Sequence, residues 1–293
     1  MGLIDAHCHV WSLQRGDYGW LRGDDPDLAR IYRDFAPDDL RAEGSGSQRK
    51  RFVVVQAAPT DAETDFLLSL AEHNPHIEAV VGWVDLSSAE AAGRIAQLAG
   101  YPKLKGLRPM LQDLAQDDWI ATAPRRDAIG AMHDAGLRFD ALVLPRHLVP
   151  LGHFVERYPH LPVIIDHAAK RPLAAGDGDD RHALWRSGMK TLASFDHVHC
   201  KLSGLLTEMH PDQYHDVETA LQVLKPMFAD LLAWFGPQRL VWGSDWPVLT
   251  LAQSYSFWAE VTDRLLADLG PGDRQAILGE NAERFYGLKG TDA

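Results

Sequence analysis

Cysteine is scarce: Cys8 and Cys200 are the only two in 293 residues, and neither belongs to a Cys-x-x-Cys pair. Two thiols are too few for a disulfide framework, and they fit a reduced, cytoplasmic setting. Positive charge is also in deficit, since 29 Lys and Arg against 41 Asp and Glu leave a net charge of −12. That argues against nucleic acid and anionic membrane surfaces as partners, because both need a basic footprint. No apolar run approaches the ~18 residues of a membrane span. The N-terminus lacks a basic segment followed by an apolar one, so no secretion signal is expected. No low-complexity tract or shift in composition divides the chain, so residues 1–293 are read as one domain. The one soft segment, EGSGSQRKR from Glu43 to Arg51, reads as an exposed loop.

Apolar residues make up 46% of the chain, ample for a buried core. Eight short runs rich in Val, Ile and Leu read as strands: Leu3–Val10, Phe52–Ala57, Glu78–Leu86, Leu104–Met110, Arg138–Leu144, Leu161–His167, Val198–Gly204 and Leu240–Asp245. Helical apolar spacing fills the intervals, as in DAETDFLLSLAE from Asp61, with Thr60 or Asp61 as N-cap. The spacing also predicts a helix over Tyr214–Phe235, with a break before Pro226, and further helix over Asp273–Phe285. Strand and helix in alternation, eight times over, is the pattern of a (β/α)8 TIM barrel. The rival open sheet often carries a Gly-rich phosphate turn after its first strand, and here W-S-L-Q follows instead. The long first βα loop, residues 11–47, accounts for length beyond a typical barrel.

The chain contains two His-x-His motifs, His7-Cys8-His9 and His197-Val198-His199. Strand side chains alternate, so both histidines of a pair share a face. His7 and His9 fall at the C-terminal end of the first strand, where barrels carry their active sites. His197 and His199 fall at the start of the seventh, on the stability face, and are read as structural. Two other apolar runs end in polar groups: VIIDH at Asp166-His167, and VWGSDWP at Asp245. A carboxylate closing an apolar run is costly unless it is paired or functional. His7, His9, His167 and Asp245 therefore converge on one mouth as the candidate catalytic set.

Six blocks in order resemble the sugar-lactonase branch of the amidohydrolase superfamily, which includes L-fuconolactonase-like, L-rhamnonolactonase-like and 2-pyrone-4,6-dicarboxylate lactonase-like enzymes. They are IDAHCHVW, VVGWVDL, LKGLRPMLQD, VIIDHAAKRP, CKLSGLLTE and VWGSDWPV. The resemblance implies a barrel, lactone hydrolysis, and reaction-centre roles for His7, His9, His167 and Asp245. Cys8 stands where members often have Gln, and Pro109 where many have His. The strand-four Lys of binuclear amidohydrolases has no counterpart, which argues against a two-metal site.

Lactone opening needs an activated water and a place for negative charge on the carbonyl oxygen. Asp245 can serve as general base, with His7, His9 and His167 polarising the carbonyl. The same four groups suit one divalent ion, Zn²⁺ by donor type, which would lower the pKa of a bound water. The sequence leaves these two arrangements open. Substrate contacts are expected from Gln56, Trp83, Arg108, Arg146 and Lys170 around the mouth, with Asp85, Lys201 and Ser203 near them. DYGW, Asp17–Trp20, is either a lid or an exposed aromatic turn for subunit contact. Apolar residues on the later helices serve the core or a homo-oligomer. The expected substrate is a small sugar-acid lactone. The alternative readings are a metal-dependent decarboxylase or other hydrolase of the superfamily, or a barrel that binds sugar acids without turnover.

Overall fold

The structure is a computed structural model that describes residues 3–43, 50–176 and 178–289. Most of the Gly/Ser segment expected as a loop, and the end of the 11–47 loop, lie outside the described residues. All eight strands are present: β1 (Ile4–Cys8), β2 (Arg51–Val55), β3 (Ile77–Gly82), β4 (Leu104–Leu107), β5 (Arg138–Ala141), β6 (Val163–Ile165), β7 (Val198–Leu202) and β8 (Leu240–Trp242). They pair in chain order from β1 to β8, each pair parallel. The two outer strands meet just past their ends. His9 N donates to Trp246 O at 2.7 Å, Asp245 N donates to His7 O at 2.7 Å, and Cys8 and Trp246 form a parallel bridge. Gly243 permits this approach, since a Cβ there would lie 2.8 Å from His7 Cβ and 2.9 Å from His7 N.

Burial divides into two layers. Ile4, Val53, Val55, Val81, Ile164 and Val241 pack inside the barrel together with Phe285 and Tyr286. The opposite strand faces, including Cys8, Val54, Val80 and Phe139, pack against the helices. Each fully buried Val, Leu, Ile or Phe contributes about 1.5–3 kcal/mol of transfer free energy, so the strands are held by side chains on both faces. Phe285 and Tyr286 sit at the N-terminal end of the barrel, where Arg138 at the start of β5 donates to Phe285 O and Arg51 at the start of β2 pairs with Glu283.

Every strand ladder stops short of its apolar run, and His9, Arg108, His167 and Asp245 lie past the ladder ends, whereas His7 lies within β1. The Asp61–His73 helix begins as expected, with Thr60 Oγ1 accepting from Glu63 N at 3.1 Å. The predicted break before Pro226 does not occur, and Val217–Phe235 is one helix. Pro226 and Gln222, whose carbonyl loses its partner, are both exposed, so water satisfies the orphaned oxygen. The expected C-terminal helix is three pieces, Pro271–Gln275, a π-helical turn Ala276–Glu280, and Asn281–Tyr286. There Asn281 Nδ2 donates to Pro237 O at 2.8 Å and to Leu240 O at 2.7 Å, tying the tail to β8. Among the described residues, no helix is long and apolar enough to cross a membrane.

Candidate active site

The first His-x-His arrives at the mouth through an irregularity in β1. Its register with β2 shifts between Asp5 and Cys8. Asp5 faces the helices, accepting from Tyr255 Oη at 3.1 Å and Ser244 N at 2.8 Å. Cys8 packs into the outer layer, while His7 and His9 turn to the interior. His167 is set by a run of backbone that non-glycine residues rarely adopt: His167, Ala168, Ala169 and Lys170 have φ of 53°, 47°, 56° and 47°. Asp245 is left-handed too, at φ 63°. Such residues cost of order 1–3 kcal/mol each and persist only where the surroundings over-determine them. Here Trp185 Nε1 holds Ala168 O at 2.6 Å, and Lys170 N closes the turn on His167 O at 2.9 Å.

One carboxylate oxygen gathers the three imidazoles. Asp245 Oδ1 lies 3.3 Å from His9 Nε2, 3.7 Å from His7 Nε2 and 3.8 Å from His167 Nε2. Burial alone would raise the Asp245 pKa, but the pull of His167 and the contact with His9 hold it well below the usual carboxylate range. Burial pushes His167 down to about 4, so its ring is neutral at physiological pH. His167 Nδ1 is 2.9 Å from Ser203 Oγ.

His9 carries the most information about what the site can hold. Its Nδ1 is 2.7 Å from Val55 O, and a carbonyl only accepts, so Nδ1 bears a proton. In neutral His9, Nε2 is then a lone pair facing an anionic oxygen at 3.3 Å. That pair is completed by a cation, either a proton on Nε2 or a metal ion. His7, His9 and Asp245 each offer a ligand atom within 4.8 Å of the others, so the donor set is one that can hold a divalent metal. A second group, His7, Asp166 and His167, meets the same distance criterion. Its carboxylate already has cations beside it, with Lys201 Nζ 3.0 Å from Oδ1 and Arg108 Nη1 3.6 Å from Oδ2.

A buried charged layer lies under His7. Lys201, fully buried on β7, reaches Asp140 Oδ2 at 2.6 Å, Asp166 Oδ1 at 3.0 Å and His7 Nδ1 at 3.1 Å. Tyr286 Oη donates to the same Asp140 oxygen at 2.7 Å. Burial opposes the Lys201 charge, but Asp140 and Asp166 outweigh it and raise the pKa. Burial also opposes ionisation of Asp166, and Lys201 and then His7 outweigh that to lower it. His7 is pushed well below the usual imidazole range by burial and then by Lys201.

The expected rim residues divide. Arg108 and Lys170 line a cavity of about 230 Å³ together with His9, His167, Asp245 and Trp20. Gln56 is fully buried and does not line it; its Nε2 donates to Arg108 O at 2.7 Å while Arg108 Nη2 donates to Gln56 O. Trp83 lines a neighbouring cavity of about 690 Å³ that shares Trp20 and Met110 with the first. That larger space is lined by none of the four candidate groups, whereas His9, His167 and Asp245 line the smaller one, the candidate chamber. Arg146 is at the surface, 2.7 Å from Asp117. Asp85 is exposed and caps Ser87. His199 packs its ring on Phe285 at the far end of the barrel, away from the mouth.

The DYGW turn is not an exposed contact patch. Tyr18 is 5% exposed and donates to Glu63 Oε2 at 2.8 Å, and Trp20 Nε1 donates to Ala57 O at 2.7 Å. With Trp20 and Leu28 in the cavity wall, the first loop roofs the chamber. The sequence reading offered the DYGW turn as a lid and placed Lys201 near the mouth, but missed Asp140 and the buried Asp140–Lys201–Asp166 layer. A lysine inside VHCKL was the available signal.

A parallel barrel whose mouth joins a β1 His-x-His, a His after β6 and an Asp after β8 defines a hydrolytic barrel of the amidohydrolase kind. The Amidohydrolase family model matches residues 4–288, and the chain belongs to that family. It is 46% identical over 292 residues to an L-fucono-1,5-lactonase of Burkholderia ambifaria, covering 97% of this chain and 94% of the relative. It is 37% identical over 289 residues to an L-fucono-1,5-lactonase of Burkholderia multivorans, covering 97% and 96%. A crystal structure of an amidohydrolase from Burkholderia multivorans with bound zinc superposes with a TM-score of 0.88 at 34% identity, over 99% of this chain and 100% of that one.

Proposed function

We infer that this chain, acting as one barrel domain, hydrolyses a sugar-acid lactone related to L-fucono-1,5-lactone. The observation that carries the reading is the single oxygen of Asp245 facing three imidazoles at 3.3–3.8 Å in a chamber of about 230 Å³. That volume is below the ~300–1,000 Å³ of drug-sized sites and suits one small ring. The lactonase relatives support the same substrate class and make the decarboxylase alternative the weaker one.

In the proposed reaction, water sits against Asp245 and attacks the lactone carbonyl. Its oxygen bonds to carbon as its proton passes to the carboxylate. The carbonyl oxygen becomes an oxyanion, held by N–H donors from His7 and His167 and by Arg108. Collapse breaks the ring C–O bond, and the ring oxygen takes the proton back from Asp245. The open hydroxy acid then ionises and releases one proton to solvent. His7, His9, His167 and Asp245 are the residues that would hold a divalent ion, with zinc favoured by the donor types. When bound, the ion would supply Lewis acidity and a more acidic water. Lys170 and Arg108 are the basic side chains in the chamber wall. Gln56 acts through Arg108, while Trp83 and Arg146 lie outside the chamber.

The test is proton release from aldonolactones of L-fucono, L-galactono and L-rhamnono configuration, with and without zinc, in wild type and Asp245→Asn. Turnover in wild type with a loss of at least 10³-fold in the folded variant is expected. No turnover above the spontaneous rate on any lactone would remove the reading, and carbon dioxide release from an aromatic acid would replace it.

A further inference from the structure

His7 stands between two cations and can accept a hydrogen bond from only one of them while neutral. Lys201 Nζ is 3.1 Å from Nδ1, and Arg108 Nη1 is 3.5 Å from Nε2. An ammonium and a guanidinium are both pure donors. If Lys201 donates to Nδ1, the ring proton is on Nε2 and points towards Asp245. If Arg108 donates to Nε2, the proton is on Nδ1, where Lys201 cannot accept it and the one acceptor within reach is Asp166 Oδ1.

Geometry separates the two. The Lys201 contact is a normal hydrogen-bond length, whereas that of Arg108 is at the limit where such bonds fail. Asp166 Oδ1 is 3.3 Å from Nδ1, yet neither Asp166 oxygen has a hydrogen-bond partner of acceptable angle. A proton on Nδ1 would therefore face the ammonium at 3.1 Å with no acceptor in line. Lys201 has little freedom to turn away. It is fully buried, and Asp140, itself fixed by Tyr286 Oη, holds it at 2.6 Å.

We propose that Lys201 is a positioning residue: by donating to His7 Nδ1 it keeps the His7 proton on Nε2, so that this ring presents a hydrogen-bond donor, not a lone pair, to the reaction centre. The two histidines of the motif then have opposite tautomers. His9, with its proton committed to Val55 O, presents Nε2 as an acceptor or ligand. His7 presents an N–H to the carbonyl oxygen of the substrate. In that tautomer His7 offers no lone pair to a divalent ion, whereas His9 Nε2 and Asp245 Oδ1, 3.3 Å apart, keep theirs. The kinetic consequence rests on the lactonase reading, whereas the place of the proton does not.

The experiment is long-range ¹H–¹⁵N correlation of the imidazoles in ¹⁵N-labelled metal-free protein, with His7 assigned by comparison with His7→Asn. A pyrrole-type Nε2 and a pyridine-type Nδ1 for His7 are expected in wild type. The reverse pattern would overturn the proposal and assign the controlling contact to Arg108. Lys201→Met should move the proton towards Nδ1. Because it leaves Asp140 and Asp166 without their shared cation, Lys201→Met/Asp140→Asn is made beside it as the charge-balanced form. In whichever folds, kcat should fall about 10²–10³-fold, the loss typical of one oxyanion donor, with KM changed less than threefold. Zinc alone, measured by competition with a chelator, should bind at least tenfold more tightly than to wild type as the Nε2 lone pair is freed. Unchanged ¹⁵N signature and zinc affinity would overturn the proposal. Wild type inactive on every lactone, with the Nε2–H signature present, would sink the substrate reading and leave the tautomer assignment standing.

Discussion

Replacing Gly204 by alanine tests how much the candidate site depends on spacing alone. Gly204 follows β7 with φ +59°, and a Cβ there would lie 2.5 Å from His167 Nδ1, 2.8 Å from His167 Cγ and 2.9 Å from Asp245 Oδ2. Ordinary contact begins at 3.4 Å, so the imidazole must retreat by about 0.9 Å, the difference between 3.4 and 2.5. It has little room to do so. Ser203 Oγ holds Nδ1 at 2.9 Å, and the left-handed turn behind it is pinned at Ala168 O by Trp185. The backbone conformation adds about 1–2 kcal/mol for a residue with a Cβ, and overpacking adds about 1–3 kcal/mol. A loss of about 2–5 kcal/mol leaves most domains folded, given total stabilities of about 5–15 kcal/mol. Displacing a reacting group by about 1 Å costs on the order of 10²-fold in rate. The expected variant melts cooperatively at lower temperature and retains about 1% of wild-type kcat. Activity within threefold of wild type, with an unchanged melting curve, would refute both the strain estimate and the role of His167.

Glu63 supplies a pH test: burial raises its pKa to about 7 against an ordinary 4.5. For an acid raised on folding, stability is greatest below the unfolded value and is lost as pH climbs through the folded one, so the window is pH 4.5 to 7. The gap corresponds to about 3 kcal/mol. Glu63→Gln should narrow its stability deficit relative to wild type, or overtake it, as pH rises from 4.5 to 8. A difference between the two melting temperatures that stays constant over that range would contradict the assignment. Trp20→Ala should lower kcat/KM about tenfold by removing the indole that walls the chamber, read from initial rates at low lactone concentration. Arg146→Ala should leave kcat/KM within twofold, because its side chain is paired with Asp117 at the surface; a tenfold loss would return it to the substrate contacts.

The barrel was legible because both faces of each strand are buried, so each strand reads as a continuous apolar run. The same property blurred the ends. In VIIDH the apolar pattern continues to Ile165 and then into His167 with no sign that the next four residues turn left-handed. His7, His9, His167 and Asp245 were legible for a related reason, since a polar group that closes an apolar run stands out. Position after a strand end did not tell which rim residues reach the smaller cavity: Arg108 and Lys170 line it, Trp83 lines the adjoining one, and Arg146 pairs with Asp117 at the surface. Pro226 misled because its cost depends on whether the freed carbonyl is wet, which a sequence does not record. Trp20 sits in a loop without periodicity, so the sequence left lid and subunit contact as alternatives, and the fold places it in the cavity wall.

The buried layer under His7 was the least legible part, and it governs the electrostatics of the rest. Asp140 and Lys201 are 61 residues apart and meet at 2.6 Å only because β5 and β7 flank β6 and turn these side chains into the barrel interior. Inside the barrel beneath the mouth the buried carboxylates Asp140, Asp166 and Asp245 meet two cations, Lys201 and Arg108, while Asp5 faces the helices. Lys201 is shared by Asp140 and Asp166, and Arg108 lies on Asp166, so the uncompensated negative charge falls on Asp245. A buried carboxylate cannot stay alone, and a compensating cation, whether a proton or a divalent ion, would sit between Asp245 Oδ1 and His9 Nε2, which are 3.3 Å apart. It would sit beside the oxygen that the proposed reaction makes the proton acceptor for the attacking water. The pairing beneath His7 thus directs the one open electrostatic position in the layer to the place where the lactone has to be opened.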